Sequence, residues 1–531
     1  MQVRTPAAAS DIRIDALLGA LAWARPAGSA ALEITYSFPG PSSVWSPGQG
    51  QYGAAGSAEP QTFAPLGEDL RAGVRAALQA WSDVADIRFV ETTDDAAGSG
   101  VLRFAYTAPA VAEQSHSYGP AAGDKAGDVW LNARADWSAL GPGSYAASTL
   151  IHEIGHALGL KHPFEGAVTL PPDQESYANT LMSYTAWAGA PGSWVSHEPS
   201  TPMPYDVLAI QALYGANTAH RTGDDVYTYA EGQACFETLW DAGGVDTLEW
   251  RSETQGALID LNAGQFSELG APLRYWLDGS PDTWASARTV AIAFGTVIEN
   301  ATGDGGDDTL IGNAGANVLT GRGGNDRLDG GAGIDCARYS GPRAAASIEL
   351  LPGSAQHEAS VSAPGQGTDT LVGIERLLFD DLAHAFDVDP TGNVDDPRTK
   401  GEGGNAGKAY RLYQAALART PDLPGLGYWI RVIDDGSSLY DIATGFIDSN
   451  EFRQAYGSDT TDRQFLTVIY RNVLGREYDP AGFEWWLGVL ASHDTTRQQV
   501  LVDFSESPEN KDNLVGLIGN GFDYVVYTPA G

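Results

Sequence analysis

Cysteine is nearly absent: Cys235 and Cys336 are the only two in 531 residues. That excludes a disulfide framework and a cysteine-ligated zinc site, and a pairing of the two would make a single bridge. Basic residues are scarce as well, 31 against 68 acidic ones, which gives a formal net charge of -37. So negative a chain repels nucleic acid and anionic lipid, so a DNA or RNA partner is excluded. It attracts divalent cations, calcium first, because they neutralise carboxylates that otherwise oppose compaction. Long apolar runs are missing too, and nothing approaches the roughly 20 residues that a membrane-spanning helix needs. The stretch Leu17 to Ala24 follows Asp11 and Asp15 without a basic leader. Export through an N-terminal signal peptide is therefore not expected.

What is present calls for several domains, since the length exceeds what one hydrophobic core organises. Residues 1–215 mix short β-branched and aromatic runs (Ile34 to Phe38, Val101 to Tyr106) with a helical spacing of Leu70, Val74, Leu78 and Trp81. They read as an α+β domain. From 216 to 385 the helical period gives way to glycine and aspartate. Four nine-residue units lie in phase from Gly303 to Arg338: GDGGDDTLI, GNAGANVLT, GRGGNDRLD and GGAGIDCAR. They fit the calcium-binding nonapeptide of a parallel β-roll, in which glycines permit the turn, an acidic residue supplies a hard oxygen ligand and an apolar residue fills a thin core. Same-edge residues lie 18 apart, pairing Asp308 with Asp326 and Asn317 with Asp335 around calcium ions. The neutral Asn317 and the small Ala337 predict weaker binding on the second edge. Residues 386–404 have the Pro, Gly and charge content of an exposed linker. Residues 405–531 form an all-α duplicated module: Tyr413, Leu417, Arg419, Asp422, Gly425 and Trp429 recur 57 positions later as Tyr470, Leu474, Arg476, Asp479, Gly482 and Trp486. The repeat continues, one residue out of step, in Phe446, Ser449 and Glu451 against Phe504, Ser507 and Glu509.

The segment Thr149 to Pro163, TLIHEIGHALGLKHP, carries the chemistry. His152 and His156 are four apart, so a helix aims both imidazoles at one point. Gly159 stops the helix and turns the chain, bringing His162 round as a third zinc ligand and leaving the fourth position to water. Glu153 faces that open position as general base on the zinc-bound water, and its protonated form serves the leaving amine. Leu181-Met182-Ser183-Tyr184 follows about twenty residues later. The whole pattern resembles the metzincin zinc endopeptidases, and Tyr184 resembles the tyrosine of their serralysin branch. The stretches ALLGALAW (Ala16 to Trp23), ITYSFP (Ile34 to Pro39), GDVWLN (Gly127 to Asn132) and PYDVLAIQALYGAN (Pro204 to Asn217) are similar to that family over nearly all of residues 10–385.

The resemblance implies that Met182 is a packing floor under the zinc ligands and that Tyr184 hydrogen-bonds the oxyanion. It implies a further calcium site in RTGDD and DAGGVD, with Arg221 and Gly223 through their carbonyls, Asp225, Asp241, Gly243 and Asp246. Asp225 departs from the family's usual threonine. Phe164-Glu165-Gly166 replaces the usual Gly-Asp-Tyr after the third histidine, which leaves subsite preference open. The helical module resembles an uncharacterised tandem-helical family at the C-termini of bacterial secreted and surface proteins. The expectation is a secreted, calcium-stabilised zinc endopeptidase, with one zinc ion, several calcium ions and protein or peptide substrates. Asp128 to Asn132 reads as a sheet edge to which substrate adds as a strand. The competing reading is a non-catalytic, calcium-dependent surface or adhesion protein on a protease scaffold, whose helical module meets a cell-surface partner. Phe522 to Val526 resembles the acidic-plus-apolar tail read by type I secretion machinery, so export by that route is expected.

Overall fold

A computed structural model describes residues 1–29, 31–45, 52, 58–108, 114–351, 358–389, 404–457 and 460–528. They divide into two compact units, residues 1–251 with 258–298, and residues 252–257 with 299–531. No helix among the described residues is long and apolar enough to cross a membrane. Cys235 and Cys336 are both free thiols.

The first unit is a mixed α/β domain. Its five-stranded sheet runs in the order Ile87–Glu91, Leu32–Ser37, Leu102–Thr107, Asp128–Asn132 and His116–Ser117. The first four strands are parallel and the last is antiparallel. The edge expected at Asp128–Asn132 is therefore covered: His116 pairs with Trp130 and Ser117 with Val129, and Asn132 N–H donates to Ser115 Oγ. A two-residue strand carries too little periodicity to be seen in a sequence. The helix Glu68–Val84 buries Leu70, Val74, Leu78 and Trp81 on one face, as their spacing predicts. The Trp81 indole N–H donates to Ile151 O (3.0 Å) and that of Trp23 to Ala157 O (2.9 Å). Both therefore clamp a second helix, Tyr145–Leu158.

The apolar core of this unit continues past Gly215. Phe236, Trp240, Leu273, Tyr275 and Ala293 belong to the same buried cluster as Trp81, Ile154 and Ile210. The change at Gly215 is thus one of secondary structure, not a break in the core. Beyond it, Val226–Ala230 pairs in parallel with Thr247–Arg251, and the long strands Phe266–Leu277 and Thr283–Ile292 form an antiparallel ladder.

In the second unit, short strands pair in parallel at 18-residue spacing: Ala301 with Leu319, Leu310 with Leu328, and Leu319 with Ala337. These middle residues are fully buried, and the residues flanking them are at least partly exposed. Arg327–Asp329 then pairs with Gly367–Val372, and Cys336–Arg338 with Arg376–Leu378. Eight helices follow between Asn405 and Ile518 among the described residues. Their duplication is physical as well as textual. Asp422 caps one helix by accepting from Gly425 N–H (2.8 Å), as Asp479 does from Gly482 N–H (2.7 Å). Arg419 binds Glu451 as Arg476 binds Glu509.

At the head of the expected linker, Phe386, Asp387 and Val388 are buried. Arg376 holds the Asp387 carboxylate, and the fully buried Arg411 donates to Val388 O (2.6 Å). Two desolvated guanidinium groups need these acceptors, which charge content alone does not reveal. Residues 390–403 of the linker lie outside the described residues. The segment expected to resemble an export tail is folded: Phe522–Tyr524 pairs antiparallel with Ala383–Ala385, and Asp523 is bound by Arg343 (3.0 Å) and His384 (2.7 Å). The helix Leu423–Asp434 lies close against that tail, because a Cβ on Gly427 would stand 1.7 Å from Val525 O. Gly427→Ala should therefore cost about 1–3 kcal/mol, read by calorimetry as a lower melting temperature for the unit that carries the helices.

Candidate metal centre and cleft

The helix Tyr145–Leu158 opens on Ser144, whose hydroxyl accepts from Ala147 N–H (3.2 Å). It closes on Gly159 at φ 109°, in the left-handed region, where a Cβ would stand 2.9 Å from Leu21 O. Glycine is required at this turn. The turn swings the chain so that His162 meets His152 and His156, and one ring nitrogen from each lies within 4.8 Å of the others. His156 Nε2 and His162 Nε2 are 3.0 Å apart.

Each imidazole is oriented through its other nitrogen. His152 Nδ1 lies 2.8 Å from Leu181 O, His156 Nδ1 lies 2.9 Å from Leu160 O, and His162 Nδ1 lies 2.8 Å from Glu165 Oε1. Carbonyl oxygens only accept, so the first two rings carry their proton on Nδ1, and a carboxylate imposes the same on the third. Three Nε2 lone pairs are then left converging. Burial, and next the neighbouring His156, holds His152 well below the usual imidazole range. Burial, and next His162, pushes His156 down to about 4. Neutral imidazoles with facing lone pairs are the donor set that zinc accepts, so the residues fit that metal.

Glu153 is 5% exposed and accepts from the Ser117 hydroxyl at Oε2 (2.8 Å). Burial raises its pKa to about 7, against the lowering effect of that hydrogen bond. Met182 is fully buried beneath the helix, and a Cβ on Gly155 would stand 2.7 Å from its Sδ. Tyr184 is half exposed, with its ring stacked on His152 (5.6 Å, 21°) and tilted against His162 (4.4 Å). Phe164 stacks against His162 (5.0 Å, 5°) and lies beside Tyr184 (5.5 Å). His152, Glu153, Leu181 and Tyr184 all line one cleft.

A second group in the same unit joins Asp225, Asp241 and Asp246, again with carboxylate oxygens within 4.8 Å of one another. Asp246 Oδ1 accepts from Asp225 N–H, and Asp241 Oδ1 accepts from Gly243 N–H, both at 2.8 Å. The Gly223 carbonyl lies against this loop, 2.2 Å from where a Cβ on Gly244 would stand. Arg221, at φ 48°, stacks its guanidinium over Tyr227 (4.8 Å), and its carbonyl accepts from Ala242 N–H.

In the second unit Asp308 N–H donates to Asp326 Oδ1 (2.8 Å), and Asn317 N–H donates to Asp335 Oδ1 (2.7 Å). The 18-residue pairs are therefore adjacent. Asp326 Oδ2 and Asp335 Oδ2 are buried and receive no hydrogen bond among the described residues. Burial dominates in raising Asp308 to about 6 and both Asp326 and Asp335 to about 7. A buried carboxylate oxygen without a donor fits a hard cation.

Sequence reasoning missed four positions here. Ser117, on the far strand, fixes Glu153. Asp206 accepts from Thr180 Oγ1 (2.5 Å), Leu181 N–H (2.6 Å) and Met203 N–H (2.9 Å), so one buried carboxylate holds the methionine turn. Asp369 accepts from Asp326 N–H (3.0 Å), and Glu375 from Asp335 N–H (2.8 Å). These two continue the acidic rows, and GQGTDTLVG at Gly365 to Gly373 is the signal that would have found the first.

Two histidines on one helix, a third beyond a glycine turn and a methionine beneath them have the arrangement of a metzincin metal site. The comparisons with known proteins agree. Residues 59–178 match the matrixin family and residues 205–375 the serralysin C-terminal family of M10 peptidases. Together these segments are similar to the two parts of a serralysin-type metzincin. The chain is 33% identical to serralysin of Photorhabdus laumondii subsp. laumondii over 284 residues, covering 48% of this chain and 56% of that protein. It is 32% identical to metalloprotease AprA of Pseudomonas entomophila, covering 55% and 61%, and 32% identical to serralysin of Proteus mirabilis, covering 54% and 60%. The matched stretch spans little more than half the length of these curated relatives. Residues 405–455 and 443–514 match a domain of unknown function, DUF4214.

Asp206→Ala should leave two backbone N–H groups under the metal centre without an acceptor. It is expected to cost about 2–4 kcal/mol, measured by urea unfolding, and to weaken zinc retention in dialysis.

Proposed function

We propose that this chain is a secreted, calcium-stabilised zinc endopeptidase that hydrolyses peptide bonds in protein substrates. The observation that carries the reading is the convergence of three Nε2 lone pairs, from His152, His156 and His162, beside the buried Glu153 in an open cleft. Zinc bound by these nitrogens supplies a Lewis acid that acidifies water and polarises the scissile carbonyl. Glu153 takes the proton of the attacking water and passes it to the leaving amine. A pKa near 7 suits both halves of that task. The Ser117 hydroxyl fixes the carboxylate rotamer. Tyr184, packed on two of the ligand rings with half its surface open to the cleft, donates its hydroxyl to the developing oxyanion. Substrate adds as a strand beside His116–Ser117, the edge of the five-stranded sheet. The buried base weighs against a non-catalytic adhesion scaffold.

Calcium is assigned to two places. Asp225, Asp241 and Asp246, with the carbonyls of Arg221, Gly223 and Gly243, hold one ion. The 18-residue parallel pairing supports a β-roll in which Asp308, Asp326, Asn317 and Asp335 hold further ions between successive turns. Asn317 donates its amide to Glu299 O (3.0 Å), so its edge offers one carboxylate fewer. Such a roll folds where calcium is plentiful, outside the cell, which fits type I export of an unfolded chain.

Glu153→Gln should keep its zinc, by metal analysis, and lose about 10²–10⁴-fold in kcat on casein; full activity would remove Glu153 as the base. The calcium reading has a pH signature. Asp308, Asp326 and Asp335 have folded pKa values above those of the unfolded chain, so the folded state binds more protons between the two. In chelator, stability of the second unit should therefore fall as pH rises from about 4 to about 7. Saturating calcium should flatten that slope in thermal melts followed by circular dichroism.

A further inference from the structure

The chemistry above leaves one wall of the cleft unused. Past His152 and Glu153 the cavity, about 140 Å³, is lined by the first turn of the site helix at Tyr145 and Ser148, by Tyr177 and by Glu198. Glu198 is 95% buried, being 5% exposed. It is fixed from the backbone side: Glu198 N–H donates to Gly143 O (2.9 Å). Gly143, at φ 77°, leaves space for the preceding His197, whose ring lies 1.8 Å from where a Cβ would stand. The loop that starts the site helix thus seats Glu198 in the cleft wall.

Burial alone acts on the Glu198 carboxylate, with no hydrogen-bond or ion-pair partner for it among the described residues. The lining contains Asp136, Glu153 and Glu198 and not one lysine or arginine. Burial pushes Glu198 up to about 7. A cationic side chain entering the cavity offsets that desolvation, whereas a neutral one does not. The aromatic rings of Tyr145 and Tyr177 offer an apolar wall for the methylene stem of such a side chain.

We propose that Glu198 is a specificity-determining residue that selects a lysyl or arginyl side chain next to the scissile bond. The proposal rests on the peptidase reading of the site and adds the substrate class. The cavity adjoins His152 and Glu153, so the side chain that fills it belongs to a residue flanking the bond that is cut.

The test uses the full-length, zinc-loaded protein and fluorogenic peptides that carry lysine or its uncharged isostere norleucine at each position flanking the cut. Lysine at one of the two positions should raise kcat/KM by roughly tenfold or more. Glu198→Gln should bring that ratio close to one, and Glu198→Asp should retain part of it. Equal rates for lysine and norleucine at both positions in the wild type overturn the proposal, as does an unchanged ratio in folded Glu198→Gln. Binding of the same peptides to Glu153→Gln, followed by fluorescence anisotropy, separates this claim from the peptidase reading. A lysine preference in affinity without cleavage by the wild type would keep the pocket and remove the reaction.

Discussion

Each imidazole of the metal centre spends one nitrogen on an acceptor of the fold, and this fixes what the other nitrogen can do. Leu181 O, Leu160 O and Glu165 hold the three Nδ1–H groups, so the Nε2 lone pairs have nowhere to point but at one another. Neighbouring lone pairs repel, and a cation is the economical resolution. Much of the first unit can be understood as support for those three acceptors. Gly159 sets the turn that presents Leu160, and Asp206 pins the backbone around Leu181. Trp81 and Trp23 hold the helix that carries the first two rings.

The second unit meets the same constraint with carboxylates instead of imidazoles. Successive turns place the backbone N–H of one acidic row against the side chain of the next, as Asp308 does with Asp326 and Asp326 with Asp369. That arrangement satisfies one oxygen of Asp326 and buries the other without a donor. A chain with 68 acidic residues stays compact only if such charges are matched by protons or cations. Both units therefore bring together groups that a cation would satisfy better than another side chain.

How much of this was legible in the sequence depended on the range of each interaction. His152, His156 and Glu153 share a helical turn, and Gly159 and His162 follow within ten residues, so their placement reads directly from spacing. The nonapeptide phase placed Asp308, Asn317, Asp326 and Asp335 in adjacent turns for the same reason. Ser117, 36 positions before Glu153, and Asp206, 25 after Leu181, are joined to the site only by the fold. The antiparallel pair Ser347–Leu350 and Ala359–Ala363 interrupts the nine-residue phase and hides Asp369 and Glu375. Phe386 to Val388 looked solvent-exposed because charge content says nothing of the buried Arg376 and Arg411 that claim their polar groups. The mixed α/β character and the helical repeat were visible because each depends on a period that recurs many times.

The pairing of Phe522–Tyr524 with Ala383–Ala385 makes the helical region a very long excursion between two neighbouring strands. Its two ends are tied at one place, like the stem of a hairpin whose loop has grown into a domain. Cutting the chain after the first strand would not simply detach a passenger. It would strip the covering from Ala383–Ala385, leave a row of naked backbone donors and acceptors, and invite pairing with a second molecule. Removing the helices cleanly means keeping both strands and bridging them with a short turn.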